Sequence, residues 1–398
     1  MTEISKSRHR GTHHSVSPER VVELIATGKA HSRADLVTEL GAAASTISAA
    51  VGHLVDQGIL VEYGIGSSSG GRPPRLLRLG RTDEFAVSAD LGGRHARIGV
   101  VRSGGVVSDV ETVPFDITEN PASSLEKLST AMSVLAESQS RGTLTGIGLS
   151  IPGPVDIDQG IVDLPSRMPG WHRFPVVSWL ESRFPVAVVA ENDANCMAVA
   201  ENAAHPHHHK QAISIKAGTA IGAGIIVDGQ LYRGANGVAG DITHVRIEAA
   251  GDAPCSCGKT GCLETVASGV GIARILRDQG VEIDSTDDIV RLTSEAHPLV
   301  TGAVRRAGTY LGEVLSVNVN FFNPDAVYLG GELATLEPFV AAVRSQLYEG
   351  SHPLVTQHLT IAPSRLGANA GVVGVGIFAL QKALAHTLAA HTITITPD

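Results

Sequence analysis

The sequence predicts an α/β protein in two parts: a winged helix-turn-helix at the head, then a duplicated α/β body with a cleft between its halves. Three observations carry that prediction. Residues 32–79 read as two short helices joined by a tight turn and followed by a hairpin. Units of strand, glycine-rich turn and strand recur from residue 83 onward, and the run Cys255-Ser-Cys257-Gly-Lys-Thr-Gly-Cys262, preceded by His244, carries the donors of a metal site.

Composition sets the outer limits. At 398 residues the chain is long enough for two or three domains. Hydrophobic residues make up 43% and charged residues 18%, which provides for sizeable cores and argues against disorder. No apolar run approaches about 18 residues and the N-terminus is polar, so neither a membrane span nor a secretory signal is expected and the expected address is cytoplasmic. Net charge is -9, yet residues 1–80 hold nine Lys/Arg against seven Asp/Glu, leaving +2 there and -11 for the remainder. A weakly basic head on an acidic body suits nucleic acid at one end and small molecules at the other.

Within the head, residues 1–16 form a basic tail with Lys6, Arg8 and Arg10, and residues 17–82 form the DNA-binding domain. Ser32-Arg-Ala-Asp35 is a capping box that opens a helix through Leu40, which Gly41 stops. A second helix runs from about Ser45 to Asp56, with Ile47, Val51, Leu54 and Val55 on one apolar face. Strand-like Ile59–Glu62, a Gly/Ser-rich tip from Gly64 to Gly71, and Arg72-Pro-Pro-Arg75-Leu-Leu-Arg78 complete a wing. A helix of this size fits the major groove while wing arginines reach phosphates or the minor groove. The candidate DNA contacts are Arg33, Ser45, Thr46, Ser48, His53, Arg72 and Arg75. Because the second helix has no Arg, Lys, Asn or Gln, base readout is expected to be sparse and binding strongly salt-dependent. A winged helix also serves as a protein-docking module.

In the body, Phe85 to Gly93 leads into Ala96–Val101, and Ile213 to Thr219 leads into Ile221–Val227. Glycines at such hairpin tips let backbone N–H groups approach an anion. Further strands are expected at Gly146–Asp156 and at Val186–Asn192, the latter running into a helix. Three thiols and one imidazole make a closed tetrahedral zinc site of His244, Cys255, Cys257 and Cys262. Cys255 and Cys257 are poor disulfide partners and Cys196 is the one cysteine left over, so a bridge framework is not expected.

At this point the chain resembles the ROK family of repressors, open reading frames and sugar kinases, from about Ser17 to about Leu384. The resemblance rests on Gly240-Asp241-Ile-Thr-His244 with the cysteine cluster and Glu264, on Pro152-Gly-Pro-Val-Asp156, on Glu191-Asn-Asp193-Ala-Asn195, and on Asn323 to Gly331. The winged helix resembles the repressor branch. The resemblance implies an actin-like, ribonuclease-H-like pair of lobes with a sugar between them. The first lobe would be residues 83–192, completed by a last helix at about 372–389, and the second residues 193–371 with the zinc loop. It further implies that Asn192, Asp193, His244 and Glu264 bond sugar hydroxyls, with Asp241 where the family usually has Glu. In a kinase the Asp193 position is the general base.

The phosphate-facing parts depart from the kinase pattern. Asp90-Leu-Gly92-Gly93-Arg94-His95 stands for the family's Asp-x-Gly-Gly-Thr-Lys, Gly218-Thr219-Ala220 for Gly-Thr-Gly, and Glu332 for a third glycine. The expectation is therefore a sugar-responsive repressor with structural zinc, no use of ATP, operator DNA and a sugar or sugar phosphate as partners, no membrane, and a homodimer or dimer of dimers. The alternatives are a bifunctional ATP-dependent sugar kinase that binds DNA and a regulator answering a protein partner. Arg167-Met-Pro-Gly-Trp171 replaces the usual Asn-Leu-Pro-Gly-Trp. Pointed into the cleft, Arg167 favours an anionic ligand; turned to solvent, it does nothing of the kind.

Overall fold

The computed structural model describes residues 16–26, 28–65, 73–80, 83–205 and 209–392. They divide into two units, one reaching Thr82 and including the chain end from Thr387, the other Asp83–His386. In the first unit, α1 (Pro18–Ala26) adds a helix to the two that the sequence predicts. Proline at its first position gives up only an N–H that has no partner in the helix. Val21, Val22, Leu24 and Ile25 are buried with Leu36, Ile47, Val51, Leu54 and Leu77 in the head's core.

Ser32 caps α2 (Arg33–Leu40) by accepting from the Asp35 N–H at 3.3 Å. The Asp35 carboxylate accepts from the His31 N–H at 2.9 Å instead of Ser32's own, so the box closes one residue early. Gly41, at φ 60°, stops this helix. The second predicted helix is α3 (Ala44–Asp56), which buries Ile47, Val51 and Leu54 and leaves Val55 half-buried. Strands β1 (Leu60–Ile65) and β2 (Arg75–Leu79) pair antiparallel as the wing. The tip with Arg72, and the tail with Lys6, Arg8 and Arg10, lie outside the described residues.

The second unit contains two five-stranded sheets. The first uses β3 (Glu84–Leu91), β4 (His95–Arg102), β5 (Val106–Pro114), β6 (Thr143–Ile151) and β7 (Ala187–Asn192) in the order β5-β4-β3-β6-β7, with α4 (Pro121–Glu137) packed on it. The chain crosses through α5 (Asp193–Ala204) to β8 (Ala212–Ala217), β9 (Ile221–Val227) and β10 (Gln230–Tyr232). After α6 (Gly269–Asp278) and α7 (Pro298–Phe322) come β11 (Ala326–Gly330), α8 (Glu337–Gly350) and β12 (Thr360–Pro363). The second sheet has the order β10-β9-β8-β11-β12. In both sheets the first three strands are antiparallel and the last two join in parallel. The duplication thus extends to topology, and it aligns Ser88-Ala-Asp90-Leu-Gly92 with Ser214-Ile-Lys216-Ala-Gly218.

Each half buries its own core: Phe85, Leu125, Ile147 and Trp171 in the first, Leu311, Leu329, Phe339 and Leu347 in the second. The last helix, α9 (Ala370–Thr392), is long and apolar enough by composition to cross a membrane. Its contacts are those of a core helix: a Cβ on Gly146 or Gly148 of β6 would lie 2.9 or 2.7 Å from the Ala379 or Val375 carbonyl oxygen. On its other side, Gly374 lies so close to α5 that a Cβ would clash with the Cys196 carbonyl. His205 stacks 4.4 Å from the buried ring of Tyr328.

Candidate functional site

On the head, the outward face of α3 consists of Ser45, Ser48, Ala49 and His53, with Thr46 half-buried. These are short side chains on a helix whose other face is core. Two of the predicted DNA contacts have an internal partner instead of a free charge. Arg33 and Arg75 both pair with Glu62, the second at 2.5 Å, and these two hydrogen bonds, Arg33's first, hold the Glu62 carboxyl below its ordinary range. Arg78 lies over the Tyr63 ring at 5.2 Å. Arg75 and Arg78 of the wing are thus engaged by its own strand residues.

In the body, β7 ends where α5 begins, and that junction delivers Glu191, Asn192 and Asp193 to one spot. The Asn192 side-chain oxygen caps α5 by accepting from Ala194 and Asn195 N–H groups, and its amide donates to the Gly153 carbonyl at 3.1 Å. One amide hydrogen remains for a ligand. Glu191, 2% exposed, takes the Asn195 amide at 3.0 Å and Arg233 at 2.8 Å, so it buttresses the junction from behind. Asp193 accepts from the Ala194 N–H at 2.8 Å with one oxygen and from Lys216 Nζ at 2.7 Å with the other.

Lys216 reaches this carboxylate from β8, the opposite sheet. Burial alone would lower the lysine's pKa, but Asp193 and Asp90 outweigh it and push it well above its ordinary value. Asp90 closes the group from β3: burial raises its carboxyl, against the pull of Lys216 and of a 2.5 Å hydrogen bond donated by Ser150. No motif in the sequence points to Lys216. Its signal is its alignment with Asp90 in the duplication.

Arg167 is turned into the cleft, and it does not wait there for an anion. Its guanidinium bonds the Glu264 carboxylate and donates to the Thr219 carbonyl at 3.4 Å, so it ties the first lobe to the second. Glu264 also accepts from the Ile221 N–H at 3.3 Å. Burial raises the Glu264 carboxyl, and Arg167 pulls it back. Asp241 is exposed, and among the described residues its carboxylate has no hydrogen-bond partner, unlike Asn192, Asp193 and Glu264.

The hairpin tips differ from each other. Gly92 turns so tightly that a Cβ would come 2.9 Å from the His95 carbonyl oxygen, while Gly93 and Arg94 accept from the N–H groups of Ile117 and Phe115. In the second tip the Gly218 N–H donates to the Ala220 carbonyl, and the Gly218 and Thr219 carbonyls accept from the first turn of α6. The nearest side chain to Gly218 is Glu332, whose carboxylate lies 3.8 Å from where a Cβ would stand. Burial and the neighbouring Asp287 raise the Glu332 carboxyl, with His95 and Lys216 opposing.

Beside the cleft, His244, Cys255, Cys257 and Cys262 bring one ligand atom each to within 4.8 Å of one another, a group able to hold a metal ion. His244 Nδ1 lies 3.5 Å from Cys255 Sγ, and the Cys257 and Cys262 sulfurs are 3.8 Å apart. Burial together with the two neighbouring thiols pushes Cys262 up to about 12, a strain that a cation among the sulfurs relieves. His244 turns Nδ1 toward the sulfurs, so a metal held there would leave Nε2 as the ring's donor, facing away from the cluster. Cys196 is buried apart from this group.

Comparison with known proteins agrees with this geometry. The ROK family matches residues 86–382. The chain is 30% identical over 363 residues to the xylose repressor of Bacillus spizizenii, covering 89% of this chain and 92% of that protein. It is also 30% identical over 324 residues to a glucokinase of Halalkalibacterium halodurans, covering 76% of this chain and 96% of that one. Among solved structures, a ROK family transcriptional regulator described as a homologue of the E. coli MLC protein superposes with a TM-score of 0.75 at 26% identity, over 94% of this chain and 98% of that chain. The chain belongs to the ROK family.

Proposed function

We propose that this protein is a sugar-responsive DNA-binding transcriptional regulator, a repressor of carbohydrate uptake or metabolism genes, whose kinase-like body binds its effector and has lost ATP phosphoryl transfer. The observation that carries the reading is the pairing of a winged helix with a cleft whose phosphate-facing side presents the Glu332 carboxylate to Gly218. Phosphoryl transfer depends on holding a polyanion in line, and a carboxylate there opposes it. The full-length similarity to a xylose repressor supports the same reading.

Asn192, Asp193, Glu264 and His244 are the effector's hydrogen-bonding groups, with Asp241 at the rim. Carboxylates accept from vicinal hydroxyls while the free Asn192 amide hydrogen and the His244 Nε2–H donate. Because Arg167 and Lys216 are already paired with carboxylates, a neutral monosaccharide suits the cleft better than a sugar phosphate. Glu264 is also the interlobe contact of Arg167, so a hydroxylated ligand that takes Glu264 competes with that bond and changes how the lobes meet. That is a differential contact between two states, which an effector response requires.

The metal is zinc in a structural role. Bonds of about 2.3 Å to sulfur give tetrahedral S···S edges of about 3.8 Å, the separation of Cys257 and Cys262. The DNA contacts are Ser45, Ser48, His53, Arg33, Arg75 and, beyond the described residues, Arg72. The protein acts in the cytoplasm as a two-fold homodimer on a palindromic operator, the geometry such heads use.

Fluorescence anisotropy on DNA from upstream of its own gene, titrated with neutral sugars and their phosphates, tests the reading. The expected result is tight, salt-sensitive binding that one neutral sugar changes. Specific binding together with ATP turnover on that panel would replace it with the bifunctional kinase.

A further inference from the structure

Arg233 follows β10 directly and opens the loop that leads to His244. Its carbonyl accepts from the Ala239 N–H at 3.1 Å and Gly234 beside it turns at φ 69°, so the loop closes on the arginine's backbone. The side chain crosses to the junction of β7 and α5. There Nε and Nη2 each lie 2.8 Å from one oxygen of Glu191, a carboxylate whose side chain is 2% exposed. The other oxygen accepts from the Asn192 N–H at 2.9 Å and from the Asn195 amide at 3.0 Å. A buried carboxylate with both oxygens engaged by charge and by N–H groups is held in one orientation, and its partners are held with it. The guanidinium also lies over the Phe378 ring of α9, 5.2 Å from its centroid. Three elements far apart in the chain thus meet at one side chain.

We propose that Arg233 is a positioning residue for the effector site, one that sets effector affinity through Glu191 without touching the effector. Glu191 fixes the Asn192 backbone, and Asn192 presents its remaining amide hydrogen to the ligand. The loop that Arg233 opens carries Asp241 and His244. One ion pair therefore sets the distance between two groups of effector-bonding residues, those at the β7–α5 junction and those on the loop. Arginine suits the place because its planar fork makes two bonds to one oxygen while its face lies on an aromatic ring; an ammonium is a point donor and does only part of this.

This inference rests on the reading of the cleft as a sugar site, and the experiment separates the two. Zinc-loaded, full-length wild type, Arg233→Lys and Arg233→Met are compared by hydrogen exchange over residues 187–200 and by calorimetric titration with D-xylose, D-glucose, D-mannose and D-galactose. In Arg233→Met, exchange of the Asn192 to Asn195 amides should speed up by at least about tenfold. Its dissociation constant for the sugar that wild type binds should rise by about tenfold, and that of Arg233→Lys by about threefold, with zinc content and DNA affinity unchanged. Exchange and affinity equal to wild type's in folded Arg233→Met overturn the assignment, and so does faster exchange with unchanged sugar affinity. If Arg233→Met does not fold, Arg233→Lys decides by the same two readings. Binding of none of these sugars by wild type counts against the functional reading instead, and the exchange rates alone then decide for or against Arg233.

Discussion

The two halves of the body share one strand order and treat it differently. At matching places on β3 and β8 the first carries Asp90 and the second Lys216, and the first tip is bonded to the segment Phe115–Ile117 while the second is bonded to α6. The second half alone carries the metal loop, a stretch from His244 to Cys262 with no helix or strand beyond a single short turn. What the difference teaches is that duplication supplies positions and leaves their chemistry open. Facing positions in a two-fold arrangement are where opposite charges meet, and the half that holds a long irregular loop beside the cleft places in it a histidine and three cysteines able to hold a metal ion.

Removing the metal breaks this comparison most severely. Cys262→Ser should release the ion and cost on the order of 5 kcal/mol in the second half, seen as a lowered melting transition with zinc content measured in parallel. The effector response should vanish with it, because His244 belongs to both groups; a normal sugar response in zinc-free protein refutes that coupling.

Next comes the interlobe bond. Arg167→Ala leaves the Glu264 carboxylate, whose side chain is 5% exposed, without its cation, a loss of about 2–3 kcal/mol near pH 8. The sign follows from linkage. Arg167 lowers the folded-state pKa of Glu264, and its removal raises that pKa further above the ordinary value of 4.5. The loss is therefore complete above the variant's folded-state pKa and shrinks as pH falls through the wild type's, both above 4.5, because below them Glu264 is protonated in both folded proteins. Urea melts of both proteins across that range decide it; a difference constant with pH assigns the effect to lost packing.

The wing gives smaller effects, on DNA alone. Glu62→Gln should free Arg33 and Arg75, raise affinity for DNA of any sequence, and steepen the salt dependence by up to about two counterions. Arg75→Ala should weaken binding by about threefold or less with no change in sequence preference. A reduced affinity in Glu62→Gln would mean that Glu62 holds the wing in shape rather than restraining its charge.

Much of this was legible from local chain. The cap at Ser32, the stop at Gly41, the glycine tips and the His244 to Cys262 ligand set are relations between residues a few positions apart, and such relations survive without knowledge of the fold. Helix α1 escaped because it carries no capping box, and its apolar residues gain meaning only from the core they enter. The Arg33 and Arg75 charges were visible, while their common partner Glu62 was not, since it takes the wing's pairing register to bring them together.

Sequence by itself determined the class of fold, the grouping of His244 with the three cysteines and the family, because each is encoded in periodicity, caps or short spacing. The tertiary structure alone decided what the cleft's charges do. Lys216 meets Asp193 across 23 residues of chain and Arg167 meets Glu264 across 97, so neither pair has a spacing to read. Which charge neutralises which depends on two sheets being set face to face, and that arrangement follows from the packing of whole halves, not from any residue's neighbours in the chain.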